Sequence, residues 1–267
     1  EYMAVKARRK ALQDKVYQIQ MNELKELRQK GFSDDINDIS KVFSIVLKIS
    51  EYANKEQKQA LLKDPLLIRT TQKAKAMAAE FEAKGKWLDA YTICYSKLMR
   101  IYQDNEAYSD YAEQLLEKAD IWASLQDSPC ETCEERYAGI KKQMFINAVD
   151  VLDSSYVNII DYRRMTIKGI GRCKLSAEVM SKLGVDNEYN KMTNAQYAAW
   201  LEALEKIVNE INQSQTDMSK DEFVDVFNKL LAMNESSRTG TALSVTLLIA
   251  QFAKGAMSGL DPYTVIY

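Results

Sequence analysis

The chain of 267 residues is long enough for one large folded unit or two smaller ones, and its 9 glycines and 3 prolines are too few for the turn that a sheet protein needs about every ten residues. The 36 basic and 38 acidic residues are spread along the chain for a net charge of -2, so no large basic field exists to hold a phosphate backbone and nucleic acid is not expected as a partner. Histidine is absent, which removes the commonest general base, the commonest neutral metal ligand and any Ser-His or Cys-His nucleophile pair.

From Tyr2 to Lys30, apolar residues at Val5, Leu12, Val16, Ile19, Leu24 and Leu27 have the spacing of one helix face, with charge on the other. Gly31 ends this helix, and Ser33 or Asp34 can cap a second, carrying the stripe Ile39, Val42, Phe43, Val46, Leu47 and Ile49 to about Lys63. The acids Asp34, Asp35 and Asp38 read as helix N-terminal charges favoured by the dipole, not as an acid-base pair. Asp64-Pro65 predicts an N-cap followed by proline in the first turn of a third helix.

Between Ala74 and Leu116 the residues Ala78, Phe81, Gly85, Trp87, Ala90 and Leu98 resemble one tetratricopeptide repeat. Alanines let two antiparallel helices approach, glycine turns the chain and the aromatics fill the groove, and 34 residues beyond Ala78 stands Ala112. Cys94, Lys97 and Tyr102 depart from that pattern, and no second complete copy is visible. Tyr91, Tyr95, Tyr102, Tyr108 and Tyr111 form a near-helical tyrosine stripe beside the hairpin, which is either amphipathic packing or an aromatic groove for a peptide. The candidate groove residues are Phe81, Trp87, Tyr91 and Tyr95.

Polar breaks at Gln126 to Glu131 and at Gly184 to Asn190 divide the chain into an expected region 1–128, holding the hairpin, and a second helical group 129–267. Cys130-Glu-Thr-Cys133 is the sole C-x-x-C; without a second pair it makes no zinc site, and Glu134 stands where a haem attachment motif has histidine. It suits a small disulfide, a redox pair, half of a metal site between molecules, or two structural cysteines. No cofactor and no metal is expected.

Gly169-Ile-Gly171 lacks the third glycine and the preceding strand of a phosphate loop and predicts a flexible helix interruption instead. Capping-box spacings at Thr193 with Gln196 and Ser219 with Glu222 predict helices over 193–213 and 219–234. The most apolar stretch, Thr241 to Met257, is too short and too polar to span a membrane and predicts a buried helix. The expected fold is therefore all-α, antiparallel helical hairpins arranged as a repeat-like (tetratricopeptide-like) array or a bundle.

The final segment, from Ala253 through Leu260-Asp261-Pro262-Tyr263-Thr264 to Tyr267, resembles the helix end and Leu-Asp-Pro turn that open the protease part of carboxyl-terminal processing peptidases. Tyr156-Val157, Asp161 and the helix to Gly169 resemble the lead-in of the same family, although here a long helical insertion separates the two stretches. The resemblance implies a non-catalytic helical N-terminal region of an exported serine peptidase, acting in protein interaction, oligomerisation or substrate access, with a PDZ domain and a serine-lysine core beyond Tyr267. No serine here has lysine three residues later, so no catalytic residue is carried over. Export to a periplasm-like compartment fits a chain that opens on Glu1 rather than methionine and permits a Cys130–Cys133 disulfide. The alternative is a stand-alone, cytoplasmic adaptor that binds a peptide in the aromatic groove. In either case the expected partner is a protein or peptide, with homo-oligomers allowed.

Overall fold

In a computed structural model, residues 2–30, 35–182, 193–236 and 243–260 are described, and every regular element among them is helical. Internal contacts divide the chain into two units, Glu1–Leu116 and Glu117–Tyr267. The boundary lies inside a helix, Glu106–Ser124, and not at the polar break expected near 128. The reason is local: Pro129 and its neighbours belong to a loop bonded within the second unit, where Arg136 donates to the carbonyls of Ser124 and Gln126, and Asp127 accepts the Cys133 amide.

In the first unit, α1 (Tyr2–Lys30) matches the predicted helix. The predicted second helix is two, α2 (Ile36–Tyr52) and α3 (Lys55–Leu62). Ala53 turns extended and Asn54 caps α3, its side chain accepting the Gln57 amide at 2.9 Å while Gln57 accepts the Asn54 amide at 2.8 Å. That Asn-x-x-Gln spacing was a legible stop-and-restart signal that the continuing apolar stripe conceals. α4 (Pro65–Ala83) starts as expected, with Asp64 accepting the Leu66 amide. The core of this unit is the apolar face of α2, fully buried at Ile39, Val42, Phe43, Val46 and Ile49, together with Leu24 of α1 and Leu67, Ala74 and Ala78 of α4.

The chain then reverses through Lys84–Lys86, where Gly85 has φ +69, a left-handed conformation that costs glycine nothing. α5 (Trp87–Asp89), a π segment (Ala90–Tyr95) and α6 (Ser96–Ile101) follow one another directly and return along α4. α7 is Glu106–Ser124. The predicted hairpin is thus present, with Ala78, Trp87, Ala90 and Leu98 all at most 1% exposed. The π turn accounts for the departure at Lys97: its wider winding carries the buried positions through Ala90, Cys94 and Leu98, leaving Lys97 half-exposed.

The second unit continues with α8 (Cys133–Tyr137), α9 (Lys142–Ser155), α10 (Tyr162–Lys182), α11 (Asn194–Gln213), α12 (Lys220–Glu235) and α13 (Val245–Met257). Both predicted capping boxes close, at Thr193 with Gln196 and Ser219 with Glu222. The 184–190 break and residues 241–242 lie outside the described residues. The core is aromatic: Phe145 meets Phe227 at 4.8 Å and Phe252 at 5.8 Å between ring centroids, and Phe223 meets Tyr162 at 5.6 Å. Trp200 of α11 is fully buried.

The predicted interruption at Gly169-Ile-Gly171 does not occur; α10 runs unbroken through both glycines. Gly169 is instead a contact residue. A Cβ built there would lie 2.8 Å from the Phe252 ring, and one built on Gly255 would lie 2.7 Å from the Lys168 carbonyl oxygen and 3.0 Å from the Gly169 Cα. Missing side chains bring α10 and α13 together backbone to backbone, a use of glycine that a single sequence does not distinguish from flexibility. As predicted, α13 is buried, at Leu247, Leu248, Ile249, Phe252, Ala256 and Met257.

Candidate functional site

The hairpin of the first unit presents a partly exposed cluster of phenols. Tyr95 lies 4.6 Å from Tyr111 and 6.3 Å from Tyr108, and Tyr102 stacks on Tyr108 at 5.1 Å, all between ring centroids. α4 supplies the polar edge: Lys75 Nζ sits 4.9 Å from the Tyr108 ring centre, Thr71 Oγ1 is 3.1 Å from the Tyr102 hydroxyl, and Tyr111 donates to Glu82 at 2.6 Å. Burial pushes the Tyr95 and Tyr102 phenols above their ordinary range, and the Glu82 carboxylate adds to this at Tyr95. The cluster can stack on side chains and exchange hydrogen bonds with a peptide, but holds no activated nucleophile.

Of the candidate groove residues, Phe81, Tyr91 and Tyr95 are half-buried. Trp87 is 1% exposed, with its ring beneath Gly85, so it belongs to the core that shapes the hairpin and cannot itself touch a ligand. Lys75, Thr71 and Glu82 were not singled out from the sequence. Their positions four and seven residues apart on α4, facing a tyrosine stripe, were the available signal.

The C-x-x-C pair is split by environment. Cys130 is exposed in the loop, whereas Cys133, the first residue of α8, is 2% exposed, and no disulfide joins the two. Cys94 and Cys173 are also buried and free. Burial, partly offset by Lys97, pushes the Cys94 thiol up to about 11, and burial raises that of Cys173 well above its ordinary value. In the reduced native protein, maleimide is therefore expected to modify Cys130 alone, with the other three reacting only after denaturation; intact-mass measurement of the adducts checks this.

The second unit holds a partly buried polar network that the sequence did not reveal. Arg172, 5% exposed, donates through Nε to Gln251 Oε1 at 2.8 Å and through its terminal nitrogen to Asp120. Gln251, also buried, donates to Ser124 at 3.3 Å and to the Tyr137 hydroxyl at 3.2 Å, and Lys254 reaches both Asp120 oxygens at 2.8–2.9 Å. Burial acts to raise the Asp120 pKa, but hydrogen bonds from Lys254 and Arg172 outweigh it and hold the carboxyl below its usual value. A depressed folded-state pKa contributes stability that is complete above the unfolded value of about 4 and is lost as pH falls through the folded one. Asp120→Asn is accordingly expected to lower Tm at pH 7, with the gap to wild type narrowing at pH 3, as thermal unfolding at the two values will read.

Among the described residues no group of three or more Cys, Asp or Glu side chains is placed to hold a metal ion, and no helix is long and apolar enough to cross a membrane. Of the family-like turn, Leu260 is described and half-buried, while Asp261, Pro262 and Tyr263 lie outside the described residues. The other resembling stretch places Val157 (95% exposed) in the loop between α9 and α10, together with Ile159 (99%). Comparison of the chain with protein families, curated proteins and solved structures finds no match in any of the three.

Proposed function

We propose that this chain is the non-catalytic helical N-terminal region of an exported carboxyl-terminal processing serine peptidase, serving protein interaction, oligomerisation or substrate access. The reading rests on the Leu260-Asp261-Pro262-Tyr263 segment and its lead-in. One observation carries it beyond a short match at one end. The two resembling stretches, far apart in sequence, belong to packed neighbours: a Cβ on Gly259, just beyond α13, would stand 3.3 Å from the Met165 backbone near the start of α10, and Gly255 abuts Lys168, Gly169 and Arg172. The long insertion between them carries α11 and α12. Gene sequence beyond the codon for Tyr267 tests the reading. A PDZ-like stretch followed by a serine-lysine core is expected, and the absence of both would sink it.

A second reading, a tetratricopeptide-like adaptor, is favoured by the phenol cluster with Lys75 at its edge. Its test is a peptide-array screen of wild type against Tyr91→Ala and Tyr95→Ala, positions that are half-buried and so reachable. Equal binding by all three proteins would remove the groove from consideration. Trp87 is unsuited to this test because its loss would disturb the hairpin itself.

A further inference from the structure

Among the described residues, the first half of α1 carries a row of exposed apolar side chains. Its second half is anchored, Leu24 being 1% exposed and α1 packing on α2. Toward the N-terminus, Tyr2 is 78%, Val5 63%, Leu12 65% and Ile19 53% exposed. These are not scattered residues: Tyr2, Val5, Arg9, Leu12, Val16 and Ile19 alternate at spacings of three and four, the a and d positions of a heptad, along about 25 Å of helix. Arg9 is the one charged residue in this seam.

Charge decides what can cover it. The flanking e and g positions from Lys6 to Asn22 are Lys6, Arg8, Gln13, Lys15, Gln20 and Asn22, without one acid. Over residues 2–19, Lys6, Arg8, Arg9, Lys10 and Lys15 against Asp14 leave five positive charges less one negative, or +4, in a chain whose net charge is -2. All five of those basic residues are exposed. A second copy pairing in parallel would set Arg9 against Arg9, and one pairing antiparallel would align Arg8 with Lys15, so self-association meets like charges in both directions. An anionic membrane would suit the charge but not the shape, since an interfacial helix needs a broad apolar face and this one is a single narrow seam broken by Arg9 and hemmed by Lys6, Arg8 and Lys15.

We infer that the N-terminal half of α1 is a coiled-coil docking segment for an amphipathic helix of a different protein, one with an apolar seam and Glu or Asp at its flanking positions. This rests on the surface of α1 alone and stands or falls separately from the peptidase reading. Arg9 selects further: in a partner of this kind an acidic residue in the seam opposite it would set the register, as single polar seam residues do elsewhere.

The test uses the whole chain and a fluorescent synthetic helix about four heptads long with leucine seams and Glu at every e and g position. Its control is the same peptide with Lys for Glu. Anisotropy should show binding of the acidic peptide only, weakened by raising salt from about 0.05 to 0.5 M. Leu12→Asp should weaken binding roughly tenfold or more, and the double variant Arg8→Glu, Lys15→Glu should shift preference to the Lys peptide. Both alter exposed positions, and unchanged circular dichroism will verify the fold. Indifference to the two peptides, no binding of the acidic one, sedimentation with phosphatidylserine vesicles but not peptide binding, or α1-dependent self-association in the ultracentrifuge would each overturn the inference.

Discussion

Trp87→Ala is expected to destabilise the first unit by about 3–5 kcal/mol, the range for emptying an aromatic site in a packed core. The indole is 1% exposed, and its ring lies 3.5 Å from where a Cβ on Gly85 would stand, so it fills the space under the turn that reverses the chain from α4 into α5. Ala78 and Ala90, the small residues of the two arms, are buried as well, and removing so large a side chain from the core is expected to leave a cavity. With total stabilities commonly about 5–15 kcal/mol, such a loss is a large share of the whole. Urea unfolding followed by far-ultraviolet circular dichroism measures it, and Trp87→Phe, which keeps a ring in the site, should recover a clear part of the loss. An alanine variant as stable as wild type would mean that the hairpin does not close around this residue.

Gly255→Ala is the second large effect, and its sign runs against helix propensity. Alanine in a helix is ordinarily better than glycine by about 0.8–1.0 kcal/mol. Here the added methyl would lie 2.7 Å from the Lys168 carbonyl oxygen and 2.8 Å from the Arg172 Cβ. Those atoms belong to the backbone and the root of a side chain on α10, so relief requires α10 and α13 to part. Overpacking of this kind costs about 1–3 kcal/mol or more, and parting the helices would also disturb the Arg172–Gln251 bond that spans them. Gly171→Ala is the matched control: it lies in the same helix as Gly169, but nothing stands within 4 Å of its Cβ, so propensity alone should act and stabilise the chain slightly. Thermal unfolding of the two variants should move in opposite directions, and a shift of the same sign in both would refute the close crossing.

The two glycines show where a sequence stops speaking. Gly169 and Gly171 have the same residue type, the same helix and nearly the same neighbours in the chain, yet one packs against the Phe252 ring and the other faces open space. What separates them is α13, some 80 residues away in the chain, and no local pattern carries that information. The same holds for Arg172 and Gln251, which stand 79 residues apart in the chain and are buried and bonded to each other. The phenol cluster lies between these cases. Its tyrosines were visible as a stripe, whereas Lys75, Thr71 and Glu82 became part of it only when α4 folded back beside them.

By itself the sequence determined what depends on near neighbours: the all-helical fold class, the caps at Asp64, Thr193 and Ser219, the turn at Gly85 and the burial of the segment now seen as α13. Periodicity, capping and left-handed turns act within a few residues, so their signals lie contiguous in the chain. Tertiary structure alone decided the burial of Arg172 against Gln251, the glycine crossing of α10 and α13 and the exposure of the first half of α1. Each of these depends on which distant surface arrives, and an apolar stripe at helical spacing reads the same whether its partner lies within the chain, as for α2, or is still to be met, as for the seam from Tyr2 to Ile19.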